Sequence, residues 1–359
     1  MKTWFATLLL FAALPVFPGE PAPPAAFQPV APAHNLVIVT IDGFRWQELF
    51  TGADPALLSN SSVTPDTSLM KMMYDAPDEA LRRRKLLPFF WNVIAERGQL
   101  YGNRHYGNKL NVSNLYHLSY PGYAEMFTGQ ADWRISSNKK KPNPNVNVLE
   151  YLHGKEAFRD KVVAFTSWDV FPYILNEKRS GLPVNSGYEE QDEEATGELT
   201  ASINHVQSQT VCHEGATRHD QLTFMVARAY LERHRPRVLF IGLGESDEYA
   251  HTGRYDLYLQ QAAKADQMLA DLWYWLQTTP GYKNNTTLLI TTDHGRGNRT
   301  TTWSKHDLVT RGSSQTWLAM IGPGIPASGE VKQEQQFYQR QLAGLMAGLV
   351  GEQFAEGKL

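Results

Sequence analysis

Short runs of consecutive apolar residues alternate with longer amphipathic stretches along most of the chain. The apolar runs have the composition of strands that are buried on both faces of a parallel sheet. They occupy residues 36–41, 162–165, 238–243, 288–292 and 317–321. Helical patterns cover residues 87–97, 255–277 and 333–350. This alternation predicts a three-layer α/β/α sandwich with a mainly parallel central sheet.

The beginning of the chain has a different composition. Lys2 is followed by an uncharged apolar stretch that is shorter than the roughly 20 residues of a membrane span, and a proline-rich segment comes next. We interpret residues 1–19 as a signal peptide and 20–34 as a proline-rich spacer. A retained N-terminal anchor is the alternative. The interpretation predicts a periplasmic or secreted protein with no membrane span after the signal peptide is removed.

Composition narrows the classes of function. The 359 residues are 42% hydrophobic, and 34 basic against 37 acidic side chains give a net charge of -3. These values argue against a disordered chain and against a protein that binds nucleic-acid duplexes. Because the chain has one cysteine, it cannot build a cysteine-rich zinc site or an iron–sulfur cluster. A metal would have to be bound mainly by His, Asp and Glu.

Such residues follow three of the predicted strands: Asp42, Asp247, His251, Asp293 and His294. Ligands of open α/β sheets bind beyond the carboxyl ends of the strands. Taken singly, each position is typical of an ordinary turn or helix cap. Together they indicate a metal site, and carboxylates with imidazoles suit Zn²⁺ or Mn²⁺.

The order of these residues resembles the alkaline phosphatase superfamily, and is nearest to its nucleotide pyrophosphatase/phosphodiesterase branch. The resemblance extends from about residue 36 to 350 and implies the superfamily fold with two divalent ions, Zn²⁺ before Mn²⁺. It also implies a late histidine ligand, His306. The implied ligands of the first ion are Asp42, Asp293, His294 and Ser119, and those of the second are Asp247, His251 and His306.

Ser119 is the implied nucleophile. In the family's Thr-Phe-Pro…Thr-Gly segment a proline comes two residues after the nucleophile and a glycine ten after, as Pro121 and Gly129 do here. Ser119 also precedes a predicted helix, whose first N–H groups and dipole favour a phosphate. An ordinary helix-capping serine is the alternative.

The family has an asparagine about twenty residues past the nucleophile that helps to hold the phosphoryl oxygens. Asn138, 19 residues after Ser119, is the best match, and Asn111 and Asn114 are rivals.

Related monoesterases place Lys and Arg over the phosphate, after the strand that corresponds to residues 162–165. Here residues 166–171 contain no basic side chain, although Lys178 and Arg179 follow later. This departure favours diesters over monoesters.

The resemblance thus predicts an exported two-metal hydrolase of small phosphate esters that forms a phosphoserine intermediate on Ser119. Because the ligands run from Asp42 to His306, residues 35–359 are expected to form one domain, with 169–235 as a small inserted cap. A monoesterase, a sulfatase-like enzyme and an inactive binding protein are the alternatives. A sulfatase needs an arginine where this chain has Tyr123. The pattern does not predict an oligomeric state.

Overall fold

A computed structural model of the protein describes residues 25–27, 31–191, 198–211 and 215–354. The predicted signal peptide, residues 1–19, lies outside these ranges, as does most of the predicted spacer. Phe27, within the spacer, stacks on Phe337 with ring centroids 4.6 Å apart. This part of the spacer therefore packs on the domain.

The strands divide between two sheets. Their bounds are β1 (Asn35–Ile41), β2 (Gln99–Tyr101), β3 (Asn108–Asn111), β4 (Val162–Thr166), β5 (Val184–Ser186), β6 (Val238–Leu243), β7 (Thr286–Thr291), β8 (Gln315–Thr316), β9 (Leu318–Ile321), β10 (Gly329–Glu330) and β11 (Gln335–Tyr338). Within the described ranges, one sheet has eight strands in the order β10-β2-β9-β7-β1-β6-β4-β5, and the other has the order β11-β3-β8. In the large sheet β9 runs antiparallel to both neighbours, and the remaining pairs are parallel. The predicted mainly parallel sheet is confirmed.

Helices cover both faces of this sheet. The α-helices are α1 (Trp46–Thr51), α2 (Pro55–Leu58), α3 (Thr67–Tyr74), α4 (Glu79–Leu86), α5 (Ala95–Arg97), α6 (Ser119–Thr128), α7 (Val148–His153), α8 (Phe171–Ile174), α9 (Glu177–Ser180), α10 (Glu198–Gln209), α11 (Asp220–His234), α12 (Glu245–His251), α13 (Tyr255–Thr278) and α14 (Gln341–Gly348). A π-helix, Phe90–Ile94, precedes α5, and 3₁₀ turns cover Arg104–Tyr106 and Glu156–Phe158.

Strand β1 shows how the layers form. Val37, Val39 and Ile41 belong to one buried apolar cluster, which also contains residues of α1 to α4, α11 and α13. Leu36 and Ile38 belong to the other, with residues of α6, α7 and α14. Successive side chains of a strand point to opposite faces, so an uninterrupted apolar run produces a strand that is buried on both sides.

Two segments differ from the sequence interpretation. The predicted helix over 333–350 is wrong in its first part, because Gln335–Tyr338 pairs with Asn108–Asn111 as a strand before α14 begins. Aromatic residues such as Phe337 fit a sheet well, and strand pairing overrides a local helical pattern.

In the segment 169–235, which was interpreted as a cap, β5 pairs with β4 and α11 packs on β4 and β6. These parts of the segment therefore belong to the central layers.

No helix within the described residues combines the length and apolarity needed to cross a bilayer.

Candidate metal centre

The three central strands end at the same edge of the sheet. Ile41 of β1 lies opposite Leu243 of β6, and Thr40 lies opposite Thr291 of β7. The residues that follow these positions therefore meet in space. They include the five side chains that the sequence predicts as metal ligands.

Asp42, Asp293 and His294 form a cluster that we call the buried pole. His294 Nε2 lies 3.5 Å from Asp42 Oδ1 and 3.3 Å from Asp293 Oδ2. Both carboxylate oxygens are buried and accept no hydrogen bond from any described residue. The other oxygen of each carboxylate is held, since Tyr123 Oη donates to Asp42 Oδ2 at 3.1 Å and Gly43 N donates to Asp293 Oδ1 at 3.0 Å.

Asp247, His251 and His306 form the outer pole. Asp247 and His251 lie four residues apart on α12, and His251 Nε2 is 2.8 Å from Asp247 Oδ2. His306, from the loop between β7 and β8, brings its Nε2 to 3.1 Å from His251 Nε2. His306 Nδ1 is 2.8 Å from the carbonyl oxygen of His117. A carbonyl can only accept, so Nδ1 carries the proton and Nε2 has the lone pair that a metal requires.

His294 joins the two poles. Its Nε2 lies 3.7 Å from Asp247 Oδ1 as well as close to the aspartates of the buried pole. Its ring stacks on that of His306, with centroids 3.8 Å apart and planes at 9°. The poles are therefore neighbours within one centre.

Ser119 opens α6 beside this centre, and its Oγ is 3.3 Å from His294 Nε2. The helix can lie this close because Gly122 has no side chain, since a Cβ there would be 2.4 Å from the carbonyl oxygen of Asp293. Gln339 Nε2 strengthens the contact by donating to the carbonyl oxygens of Gly122 and Asp293, at 3.1 and 2.9 Å.

Asn138 lies at the same helix end. Its Oδ1 accepts a hydrogen bond of 3.0 Å from the backbone N–H of Tyr120. This contact places the predicted phosphoryl-binding residue next to Ser119. Because the hydrogen bond uses Oδ1, the Nδ2 group is the part of the side chain that could donate to a phosphoryl oxygen.

The two rival asparagines serve the loop that precedes Ser119. Asn111 Oδ1 accepts from the Arg104 guanidinium, and Asn114 Nδ2 donates to the buried carboxylate of Glu125 at 2.9 Å. Asn114 Oδ1 also accepts from the N–H of His117 at 3.0 Å. Their side chains thus have structural partners, and Asn138 remains the better match.

The two basic candidates for a monoester site are exposed. Arg179 donates to the Glu150 carboxylate through Nε and Nη2, at 2.8 and 2.7 Å, and to carbonyl oxygens of residues 143–145. It therefore has a structural role. Among the described contacts, neither Lys178 nor Arg179 reaches the poles.

Burial dominates the electrostatics of the centre. It raises the pKa of Asp42 well above the usual range, with the nearby charge of Asp293 as the second cause, and it raises the pKa of Asp293 to about 7. Burial also lowers the pKa of His294 and of His306. A divalent cation would reverse the effect on the carboxyl groups by supplying the missing positive charge. The donor set and the two unpartnered oxygens therefore fit such an ion.

Three residues of the centre were not predicted from the sequence. Tyr123 lies one helical turn after Ser119, so a helix over this segment would have placed both on one face. Arg296 lies two residues after His294, in the same strand-end loop, and donates to Asp247 Oδ1. His117, at a φ of 50°, gave no sequence signal because its backbone carbonyl makes the contact.

An α/β/α sandwich with a mainly parallel sheet of this kind has counterparts among solved structures. No protein family model matches the sequence, and no curated protein matches it. The lipoteichoic acid synthase LtaP from Listeria monocytogenes is 11% identical, with 91% of this chain and 74% of that chain covered at a TM-score of 0.56. The alkaline phosphatase PafA is 11% identical, with coverages of 91% and 97% and a TM-score of 0.54.

A third neighbour is the phosphonate monoester hydrolase of Agrobacterium radiobacter, which is 12% identical with a TM-score of 0.52, over 90% of this chain and 74% of that one. The chain thus has the fold of the alkaline phosphatase superfamily, and the resemblance predicted from its motifs is confirmed at the level of the fold. By their names, the neighbours are a synthase, a phosphatase and a phosphonate monoester hydrolase.

Proposed function

We propose that the protein is an exported phosphoric ester hydrolase with two divalent metal ions, which acts through a phosphoserine formed on Ser119. One observation carries the proposal. The two buried carboxylate oxygens that lack a partner among the described residues converge with His294 Nε2 next to Ser119 Oγ. Burying such oxygens without a partner is costly unless a cation compensates for it.

The residues of each pole are the ligands that an ion would have. Asp42, Asp293 and His294, together with Ser119, would hold one ion, and the outer-pole residues would hold the other. Imidazole and carboxylate ligands without thiolate favour Zn²⁺, with Mn²⁺ as the second choice. When bound, the ions would lower the pKa of hydroxyl groups and stabilise the charge that develops during phosphoryl transfer.

The chain itself supplies the nucleophile and the binding groups. Ser119 Oγ loses its proton to solvent and forms a bond to phosphorus while the bond from phosphorus to the leaving ester oxygen breaks, and that oxygen takes up a proton from solvent. Water then hydrolyses the phosphoserine, which restores the serine hydroxyl. Asn138 Nδ2 and the first N–H groups of α6 would donate to the phosphoryl oxygens.

A small-molecule phosphate diester is the proposed substrate, in keeping with the predicted nucleotide pyrophosphatase/phosphodiesterase branch. A monoester carries one more negative charge and is usually met by additional cations. Residues 166–171 offer no basic side chain, and Arg179 is paired with Glu150. Export is proposed on the predicted signal peptide alone.

The test compares an aryl phosphate diester with the matching monoester before chelation, after chelation and after Zn²⁺ is added back. We expect diester hydrolysis that disappears on chelation and returns with Zn²⁺. Ser119→Ala should lower kcat by about 10³-fold or more because it removes the nucleophile, while Asp42, Asp293 and His294 remain to hold the first ion.

Two outcomes would count against the proposal at different levels. A monoester preference would overturn the diester assignment, but the protein would still be a phosphoric ester hydrolase. A zinc-loaded protein that is inactive on both esters, with Ser119→Ala making no difference, would favour a binding protein.

A further inference from the structure

Arg296 places a positive charge inside a cluster that is built to bind cations. Its side chain is buried, with 1% exposure. An arginine guanidinium keeps its positive charge in proteins even when it is buried. Burying a charge is expensive unless it is paired and hydrogen-bonded. The surroundings of Arg296 should therefore show what it does.

Each nitrogen of the guanidinium has a partner on a segment that carries metal-centre residues. Nη2 donates to Asp247 Oδ1, Nη1 donates to the carbonyl oxygen of Ser304, and Nε donates to the carbonyl oxygen of Gly43 at 3.2 Å. Gly43 adjoins Asp42, and Ser304 lies two residues before His306. One side chain thus connects the segment that carries Asp42 of the buried pole with the two segments that carry Asp247 and His306 of the outer pole.

Gly43 makes room for this arrangement. Its φ is +59°, and a Cβ would lie 2.6 Å from Asp247 Oδ1 and 2.8 Å from Arg296 Nε. Any other residue would push the carboxylate and the guanidinium apart. The loop after β1 therefore needs a glycine at this position to accommodate the Arg296 side chain.

Both oxygens of Asp247 face the centre, but Arg296 binds one of them. Oδ1 receives the hydrogen bond from Arg296 and lies 3.9 Å from His306 Nε2, whereas Oδ2 lies 2.8 Å from His251 Nε2. Without Arg296, the carboxylate could rotate and offer either oxygen. Partners that orient a metal ligand typically contribute about 10–100-fold to metal affinity.

We propose that Arg296 is a positioning residue that fixes the orientation in which the Asp247 carboxylate faces an ion of the outer pole. The inference rests on the proposed two-metal function. It adds a residue outside the ligand set that sets the affinity of one pole and leaves the other unchanged.

The experiment measures zinc binding, not turnover. Wild type, Arg296→Met and Arg296→Lys are stripped with a chelator and equilibrated over a series of buffered free Zn²⁺ concentrations, and bound zinc is counted. Arg218→Met is the matched control, because Arg218 is equally buried but binds Asn185, Gln207 and Thr223, away from the poles.

We expect wild type to bind two ions. Arg296→Met should weaken one of them about 10–100-fold and leave the other unchanged. Arg296→Lys keeps the charge but only one donor nitrogen, so its affinity for that ion should lie between those of wild type and Arg296→Met. Arg218→Met should bind zinc like wild type. His251→Ala, which removes an outer-pole ligand, identifies the affected ion as the outer one.

Several results would overturn the inference. Arg296→Met could bind both ions as wild type does, or lose affinity equally at both poles, which would indicate a packing role. Tighter outer-pole binding would show that charge repulsion outweighs orientation. If circular dichroism shows that Arg296→Met does not fold, Arg296→Lys decides, and wild-type outer-pole affinity in that variant rejects the inference. A wild type that binds fewer than two ions would instead reject the proposed two-metal function itself.

Discussion

The two poles of the centre are built in different ways. The buried pole takes its residues from the ends of adjacent parallel strands, and Asp42, Asp293 and His294 are 4%, 0% and 0% exposed. The outer pole combines a short helix with a loop, and the side chain of His251 is 51% exposed. Rigid, buried ligands lose little freedom when they bind an ion. We therefore expect the buried pole to bind its ion first and to release it last.

Removing one ligand from each pole should give the largest effects. Asp293→Asn replaces a charged, unpartnered ligand oxygen, so the buried-pole ion should be lost and kcat/KM should fall about 10³-fold. His251→Ala should lose only the outer ion, with a fall of about 10²-fold, because Asp42, Asp293 and His294 would still hold the other ion beside Ser119. Zinc counting together with diester kinetics measures both.

The contrast between the poles depends on these two variants differing. If both lost the same ion, or if His251→Ala emptied the centre, the assignment of ligands to two poles would be wrong. Asp256→Asn is a suitable control, because Asp256 pairs with Arg254 outside the centre.

A smaller effect should follow from the support of His306. His117 donates from Nδ1 to the carbonyl oxygen of Asp307 at 3.0 Å and accepts from His306 through its own carbonyl. His117→Gly and His117→Ala both remove the side-chain contact, so outer-pole zinc affinity should fall severalfold in each. Because φ is 50°, Ala should also cost about 1–2 kcal/mol of stability relative to Gly.

Denaturant unfolding of the chelated variants separates strain from metal binding. Equal stability of the Gly and Ala variants would contradict the left-handed backbone at His117. Unchanged zinc affinity in both would show that the carbonyl alone positions His306.

A change in stability, not in metal binding, is expected for an acid away from both poles, and it tests the scaffold without metal. Asp266 is buried and accepts from the N–H groups of Phe89 and Phe90 at 2.8 and 3.0 Å. Burial raises its pKa from 3.8 to about 7, although both hydrogen bonds act in the opposite direction.

The direction in which stability changes with pH follows from the number of protons that each state binds. Between about pH 4 and pH 7 the folded state binds more protons than the unfolded state, so this group makes stability decrease as pH rises, by at most about 1.4 kcal/mol per pH unit. Asp266→Asn should remove that contribution. Unfolding free energies of both chelated proteins from pH 5 to 8 check this, and parallel curves would refute it.

The side chains of both poles were predicted from the sequence, five from their positions after strands and His306 from the family resemblance. Asp42, Asp293 and His294 follow long apolar strands, and position at a strand end is visible in the chain itself. Ser119 was found from the spacing of Pro121 and Gly129, and the structure places it beside His294. These residues depend on local pattern and on the topology of a parallel sheet.

The supporting residues could not be found in the same way. Arg296 and His117 act through partners that are distant in sequence, and His117 does so through its backbone. The helix predicted over 333–350 begins with a strand because its partner, β3, lies more than 200 residues earlier. Contacts of this kind depend on tertiary structure, which a local pattern does not encode.

The unequal exposure of the two poles has a stereochemical consequence under the proposed function. Ser119 attacks from the buried side, so the leaving group departs towards the open side, where His251 is exposed. Water reaches the phosphoserine from that same side. Two in-line displacements, each with inversion, would then leave the configuration at phosphorus unchanged.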